Sequence, residues 1–340
     1  MKAIAYQTAH PLTVELGLQD IDLPVPRPEG RELLIEVQAV SVNPVDTKIR
    51  NGVNAPDGAW KVLGWDATGV VTAVGPQASL FQVGDRVWYA GDISRQGSNA
   101  QYQTVDERIV GRMPSSLDFA AAAALPLTAI TAWEMLFDRL QIAHSSSSST
   151  PSEQQLLIIG AAGGVGSVMI QLARQLTGLT IIATASRPET QQWVRDLGAH
   201  HVIDHRLPLS EELQRIGIPQ VTHIVSLNQT EQHLPQILES IAPQGHFGLI
   251  DDPRVLDVMP FKRKSVAIHW ELMFTRSLYQ TADMIEQHHL LNAVADLIDQ
   301  GVLRTTVNEQ FGLINAENLR RAHALLERGR VQGKIVLAGF

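Results

Sequence analysis

The chain has 340 residues, with 27 basic against 35 acidic side chains and a formal net charge of −8. That length exceeds what one hydrophobic core usually serves, so two domains are expected, and the acidic balance argues against a nucleic-acid surface, which needs a basic stripe. The chain has no cysteine, which excludes disulfides and any zinc site built on thiolate.

The opening MKAIAYQTAH lacks the apolar core of a signal peptide. The first third then reads as β-rich. Residues 33–43 alternate apolar and polar like a half-buried strand, and 69–75 and 85–91 are β-branched runs bounded by glycine. From Phe119 the texture becomes alanine-rich and helical. This longest apolar stretch contains Pro126 and falls short of the ~20 residues of a membrane helix. A soluble, cytoplasmic protein with no membrane partner is expected.

From about 156 strands and helices alternate strictly. Strands are predicted at 156–160, 180–186, 200–204, 222–227, 245–250 and 265–270. The first helix of the series, 167–177, places Val168, Leu172 and Leu176 on one face, and Gly198 stands where a glycine would stop the next. Short apolar strands with intervening helices imply a parallel sheet covered on both faces. After Trp270 come a long amphipathic stretch (278–300), a strand-like VNEQFGL, a helix (316–328) and a last strand, KIVLAGF. The polar run HSSSSST at 144–150 reads as a surface connection.

The segment LLIIGAAGGVGSVMIQLAR (156–174) is a strand, a glycine turn and a helix. Ala161, Gly163, Gly164, Val165 and Gly166 form the A-x-G-x-x-G version of the dinucleotide fingerprint, in which glycines let the backbone approach a pyrophosphate at a helix N-terminus. About 20 residues on, an NAD site carries Asp or Glu for the ribose 2′-hydroxyl. Here Ser186-Arg187 stands instead. Arginine can hold a phosphate through two parallel charge-assisted bonds, which predicts NADPH, against the alternative of a solvated arginine beside Glu189.

Over nearly its whole length the chain resembles the medium-chain dehydrogenase/reductase superfamily. The resemblance lies in SVNPVDTKIRNG (41–52), LGWDATGVVTAVG (63–75), VGDRVW (83–88), ALPLTAITAWEML (124–136), AAGGVG (161–166), LGAHHVIDH (197–205) and GKIVL (333–337). NPVD and AAGGVG look like the zinc-independent quinone oxidoreductases, while ASRPET, GLIDDP and HWELMFTRS resemble the branch called zinc-type alcohol dehydrogenase-like. The resemblance implies a Rossmann doubly wound parallel six-stranded sheet plus a β-rich GroES-like catalytic domain. The first would occupy 125–270, and the second 1–124 completed by 271–340.

In the zinc alcohol dehydrogenases a cysteine lies in the region of Asn43–Asp46, and a His-Glu pair follows a glycine where this chain has Trp65-Asp66. Two expected zinc ligands are therefore missing, and no metal is expected. Without a Lewis acid, the acceptor should be activated by its own conjugation. The implied reaction is NADPH-dependent reduction of quinones or α,β-unsaturated carbonyls. The alternatives are a zinc alcohol dehydrogenase and a catalytically silent NADPH-binding regulatory protein.

By the same resemblance Asn43 faces the nicotinamide, Trp65 borders the substrate and Thr128 touches the cofactor. Asp46 either hydrogen-bonds substrate or caps a turn, and Tyr89 either donates a proton or is simply packed. Strand ends place Leu227, Asn228, Gly248, Leu249 and Ile250 along the dinucleotide, and His205 near the adenine. Lys334 either reaches the phosphates or is solvated. The sixth strand is a sheet edge, and pairing it across a two-fold axis implies a homodimer.

Overall fold

A computed structural model describes residues 1–12, 17–144 and 153–340. The serine run expected as a surface connection lies almost entirely outside them. The chain divides into two compact units, one of residues 1–130 and 274–340, the other of 131–273. The expected boundaries, after residues 124 and 270, fall six and three residues before these.

The first unit opens with β1 (Lys2–Tyr6), β2 (Gln19–Asp22), β3 (Glu32–Ser41), α1 (Pro44–Gly52), β4 (Lys61–Val62) and β5 (Ala67–Val74). β6 (Arg86–Tyr89), β7 (Tyr102–Asp106), β8 (Val110–Arg112), α2 (Phe119–Ala123) and α3 (Pro126–Trp133) follow. The alternation of 33–43 appears as β3, whose inward residues Leu33, Ile35 and Val37 are buried. β3 pairs with both β5 and β7. Pro126 does what a proline inside an apolar stretch should do: it ends α2 and opens α3. The helical stretch Phe119–Arg139 has the length and apolarity to cross a membrane, but 78% of its apolar window is buried in protein. It is a core helix.

In the second unit β9 (Gln155–Ile159), α4 (Gly164–Leu176), β10 (Thr180–Thr184), α5 (Pro188–Asp196) and β11 (His201–Ile203) are followed by α6 (Leu209–Arg215) and β12 (Val221–Ser226). α7 (Thr230–Ser240), β13 (Ile241–Leu249) and β14 (Ala267–Trp270) complete it. The six strands form one parallel sheet in the order β11-β10-β9-β12-β13-β14. All six predicted strands are present. Residues 156–159 are all buried, as expected of a strand covered on both faces. Leu157, Ile182, Ile224, Phe247 and Leu249 share one core cluster.

The chain then returns to the first unit with α8 (Thr275–Tyr279), α9 (Glu286–Asp299), β15 (Val307–Gln310), α10 (Ala316–Glu327) and β16 (Lys334–Ala338). β15 and β16 join the larger sheet, with β16 against β3. The fold is the Rossmann sheet and the GroES-like β domain that the resemblance implied.

Candidate functional site

The glycine turn follows β9 directly. Gly160 takes a left-handed conformation (φ +81°), which turns the chain away from the sheet, and its N–H donates to Thr184 Oγ1 at 3.1 Å. Sequence reading assigned Gly160 to the strand and began the turn at Ala161. Ala161 is fully buried instead. Gly163 caps α4 without any side-chain hydrogen bond, and a Cβ added there would meet only Gly160 O, at 3.5 Å. At Gly166 a Cβ would lie 2.4 Å from Ala161 O, so this glycine lets the helix close on the turn. Gly164 and Val165 are the first two helical residues, both half-buried. A helix start with unsatisfied N–H groups and open space over Gly163 fits a pyrophosphate.

At the end of β10, Ser186 and Arg187 are half-buried and Arg187 caps α5. Arg187 Nε lies 3.1 Å from Glu189 Oε1, with the two side chains 37% and 61% exposed. A second guanidinium, missed in the sequence, stands beside them. Arg206, just past β11, donates to Ser186 O at 3.0 Å and pairs with Asp204 at 2.6 Å. Its signal was its place, one residue beyond His205 at a strand end. His205 itself is half-buried with Nδ1 unpartnered, and burial holds its pKa below the ordinary value. The ring meets His233 edge-on.

The carboxyl edge of the sheet also carries Leu227 (half-buried), Asn228 (exposed) and Ile250 (half-buried). Two neighbours expected there face elsewhere. A Cβ on Gly248 would strike Met135 Sδ at 2.4 Å, so Gly248 lies beneath the helix on that face, and Leu249 belongs to the core on the other. The alternation of strand faces explains both corrections.

The first unit gathers a different constellation. Lys334 Nζ donates to Val42 O at 2.9 Å, lies 3.1 Å from Asp66 Oδ2, and also donates to Asn43 Oδ1. Asn43 Nδ2 donates to Asp66 Oδ2 at 3.1 Å, and Asp66 Oδ1 accepts the Leu127 N–H at 3.1 Å. Asp46 Oδ2 accepts the Asn43 N–H at 2.7 Å as the third residue of a capping box, and its Oδ1 accepts the Gly64 N–H. All four side chains are buried. Burial pushes the Asp46 pKa up to about 7, against the pull of the Asn43 N–H and Lys334. Burial also raises Asp66 and lowers Lys334, each partly held back by the other.

This network corrects several expectations. Lys334 has its three donors engaged, so it is neither solvated nor directed at a phosphate. Asn43 has both ends of its amide satisfied inside the network, which leaves no donor for a nicotinamide. Asp46 is the turn cap rather than a substrate ligand. Tyr89 is fully buried and donates to Gln103 Oε1 at 2.9 Å, and burial pushes its pKa far up, so it is a packed residue and not a proton donor. Trp65 is also fully buried, with Nε1 on Asp92 O and its ring edge-on to Phe274. The Thr128 hydroxyl is turned back on Leu125 O inside α3. What the sequence missed was the partnership of Asp66 and Lys334, which lie 268 positions apart in the chain.

The donor set does not fit a catalytic zinc. The chain has no cysteine, and Trp65 stands where an imidazole would be expected. The nearby carboxylates are committed to Lys334 and to backbone N–H groups. Among the described residues no group of three or more His, Asp or Glu is placed to hold a metal.

Residues 29–115 match the family model of the alcohol dehydrogenase GroES-like domain, and 197–337 that of the zinc-binding dehydrogenases. A zinc-type alcohol dehydrogenase-like protein of Staphylococcus aureus (strain MRSA252) is 41% identical over 318 residues, 92% of each chain. A quinone oxidoreductase of Pongo abelii is 37% identical over 320 residues, 93% of this chain and 92% of that one. A solved Rhizobium etli CFN 42 protein, named for the zinc-dependent alcohol dehydrogenases, superimposes with a TM-score of 0.95 at 54% identity, covering 100% of this chain and 98% of that one.

Proposed function

The chain belongs to the medium-chain dehydrogenase/reductase superfamily, among its zinc-type alcohol dehydrogenase-like and quinone oxidoreductase members, and from that membership we propose an NADPH-dependent reductase of quinones or α,β-unsaturated carbonyls that works without zinc. The observation that carries the cofactor choice is the pair of guanidiniums, Arg187 and Arg206, around Ser186 at the end of β10. Their present partners, Glu189 and Asp204, are side chains of the same surface. The Arg187 pair is exposed on both sides and holds weakly, so a 2′-phosphate can take over its guanidinium, while Arg206, held bidentately by the mostly covered Asp204, adds a second guanidinium beside it.

In this reading Gly163, Gly164 and Val165 hold the pyrophosphate, Ser186, Arg187 and Arg206 the 2′-phosphate, and His205, Leu227, Asn228 and Ile250 border the dinucleotide. Bound NADPH supplies a hydride to an acceptor whose conjugation spreads the resulting charge. The protein's part is to orient and enclose. Asn43, Asp46 and Lys334 act on the site only by fixing the loop around residues 64–66 and the start of α3. With Tyr89 sealed in the core, the product's proton is left to water or a weak acid. The zinc-free part of the proposal rests on the donor set around Lys334. The edge strand β14, which among the described residues pairs with β13 alone, ends in exposed Trp270 with exposed Leu272 just beyond, and this supports a homodimer across that edge.

Arg187→Asp tests the cofactor. Removing one charge-assisted bond and adding repulsion should weaken NADPH about 10- to 150-fold while leaving NADH nearly unchanged. Equal effects on both would remove the assignment. Wild-type protein should oxidise NADPH with a panel of quinones and enones, whereas tight NADPH binding with no turnover would favour a silent binding protein. Stoichiometric zinc in active enzyme, lost together with activity on chelation, would favour the alcohol dehydrogenase reading.

A further inference from the structure

A cavity of about 550 Å³ opens in the first unit, at the three-stranded sheet of β2, β1 and β4. Its size falls within the range of small-molecule pockets. No residue bordering it takes part in the cofactor site or in the Lys334 network. One side is apolar and built of rings, and the other carries the neutral polar residues Ser94, Gln96, Gln103 and Thr104. Pro24 and Pro26 follow β2, Pro56 and Trp60 precede β4, and Tyr102 begins β7.

Lys61 on β4 adds a positive charge to this lining. Among the described residues its ammonium has no hydrogen bond or ion pair, and partial burial holds its pKa below the ordinary value. Arg95 also borders the cavity, but it is already paired with Glu32 and reaches Thr104 Oγ1 at 3.3 Å. No Asp or Glu lines the space. A half-buried cation without a counter-ion, in a cavity whose other polar borders are neutral apart from the already paired Arg95, is short of one negative partner. An acidic side chain would have supplied one internally. The geometry leaves that role to a ligand.

We propose that this cavity is a binding site for a small, flat, apolar monocarboxylate, with its rings between the prolines, Trp60 and Tyr102 and its carboxylate on Lys61. The neutral body would be held by area burial against the ring faces, and the charge would select acids over alcohols or amides.

Calorimetry on the full chain with 1-naphthoate as probe, and with naphthalene-1-methanol as its uncharged counterpart, tests the site. Naphthoate should bind at one per chain, and Lys61→Met, which keeps the aliphatic stem, should weaken it about 10- to 100-fold. Lys61→Arg should keep most of the affinity, and the alcohol should bind wild type and Lys61→Met alike. Unchanged NADPH binding by both variants confirms that they are folded. If Lys61→Met does not fold, Lys61→Gln serves in its place, and a crystal soaked with naphthoate reads the position directly. Absence of saturable binding to wild type, equal affinity in Lys61→Met, or displacement of naphthoate by NADPH each overturns the proposal.

Discussion

Two groups of charged residues in this protein look alike in the sequence and are built for opposite purposes. At the carboxyl edge of the six-stranded sheet, Arg187 pairs with Glu189 and Arg206 with Asp204, and their guanidinium side chains are 37% and 65% exposed. In the first unit Lys334 pairs with Asp66, at 4% and 0%. The Arg187 pair is solvated on both sides and exchangeable, and Arg206 is itself solvated although it holds the mostly covered Asp204 bidentately. The buried one is saturated by Asn43, Val42 and the Leu127 N–H, and every lost partner would leave a desolvated charge. Exchangeable charge suits a ligand that comes and goes, whereas saturated charge holds loops in place.

The largest expected effect comes from breaking the buried side of the comparison. Lys334→Met leaves Asp46 and Asp66 buried without their cation, and loss of one partner of a buried pair costs about 3–5 kcal/mol. The variant should also regain stability as pH falls from 8 to 5, because protonating the carboxyls removes the unpaired charge. Urea denaturation at the two pH values checks both statements. A loss below about 1 kcal/mol would make the network a surface-like pair.

Gly163→Val should act on the other side, with little cost to the fold. The backbone there has an ordinary φ of −75°, and a Cβ meets only Gly160 O. The melting temperature should stay within about 2 °C, the scale of a sub-kcal change, while NADPH and NADH binding both disappear. Retained binding would place the pyrophosphate elsewhere.

The smallest effect concerns a buried imidazole. His323 is held down to about 3 by burial, with Arg50 and His10 adding to it, from an ordinary 6.5. Above pH 6.5 it is neutral folded or unfolded and costs nothing. Below that the unfolded chain takes up the proton first, so stability falls until the pH reaches the folded value. At pH 5 the loss is about 2 kcal/mol. The stability gap between wild type and His323→Gln should therefore narrow by about that amount from pH 7 to pH 5, and a constant gap would show that the ring titrates normally. Asp46 runs the other way. Its pKa near 7 in the fold makes stability rise as pH drops from 7 toward 4, so the two residues partly cancel.

Much of the fold was legible because it follows from periodicity. The six strands, the glycine turn and α4 are local patterns, and apolar strands alternating with helices point to a parallel sheet covered on both faces. The reading at the cofactor edge was uneven for a local reason as well. Ser186 and Arg187 lie just beyond the end of β10, but Gly248 and Leu249 are the last two residues of β13 and alternate between two buried faces.

The residues drawn from the first unit fared differently. The resemblance placed Asn43, Asp46, Trp65, Tyr89 and Lys334 near a ligand, and the tertiary structure put all five in the interior. By itself the sequence determined that the chain has a nucleotide turn, an arginine in place of an acid, and no thiolate for a metal. Only the folded structure decided that Arg206 joins Arg187 and that Lys334 neutralises Asp66. The physical reason is distance along the chain: a turn is specified by neighbours in sequence, whereas a buried charge is settled by whichever partner the packing brings to it.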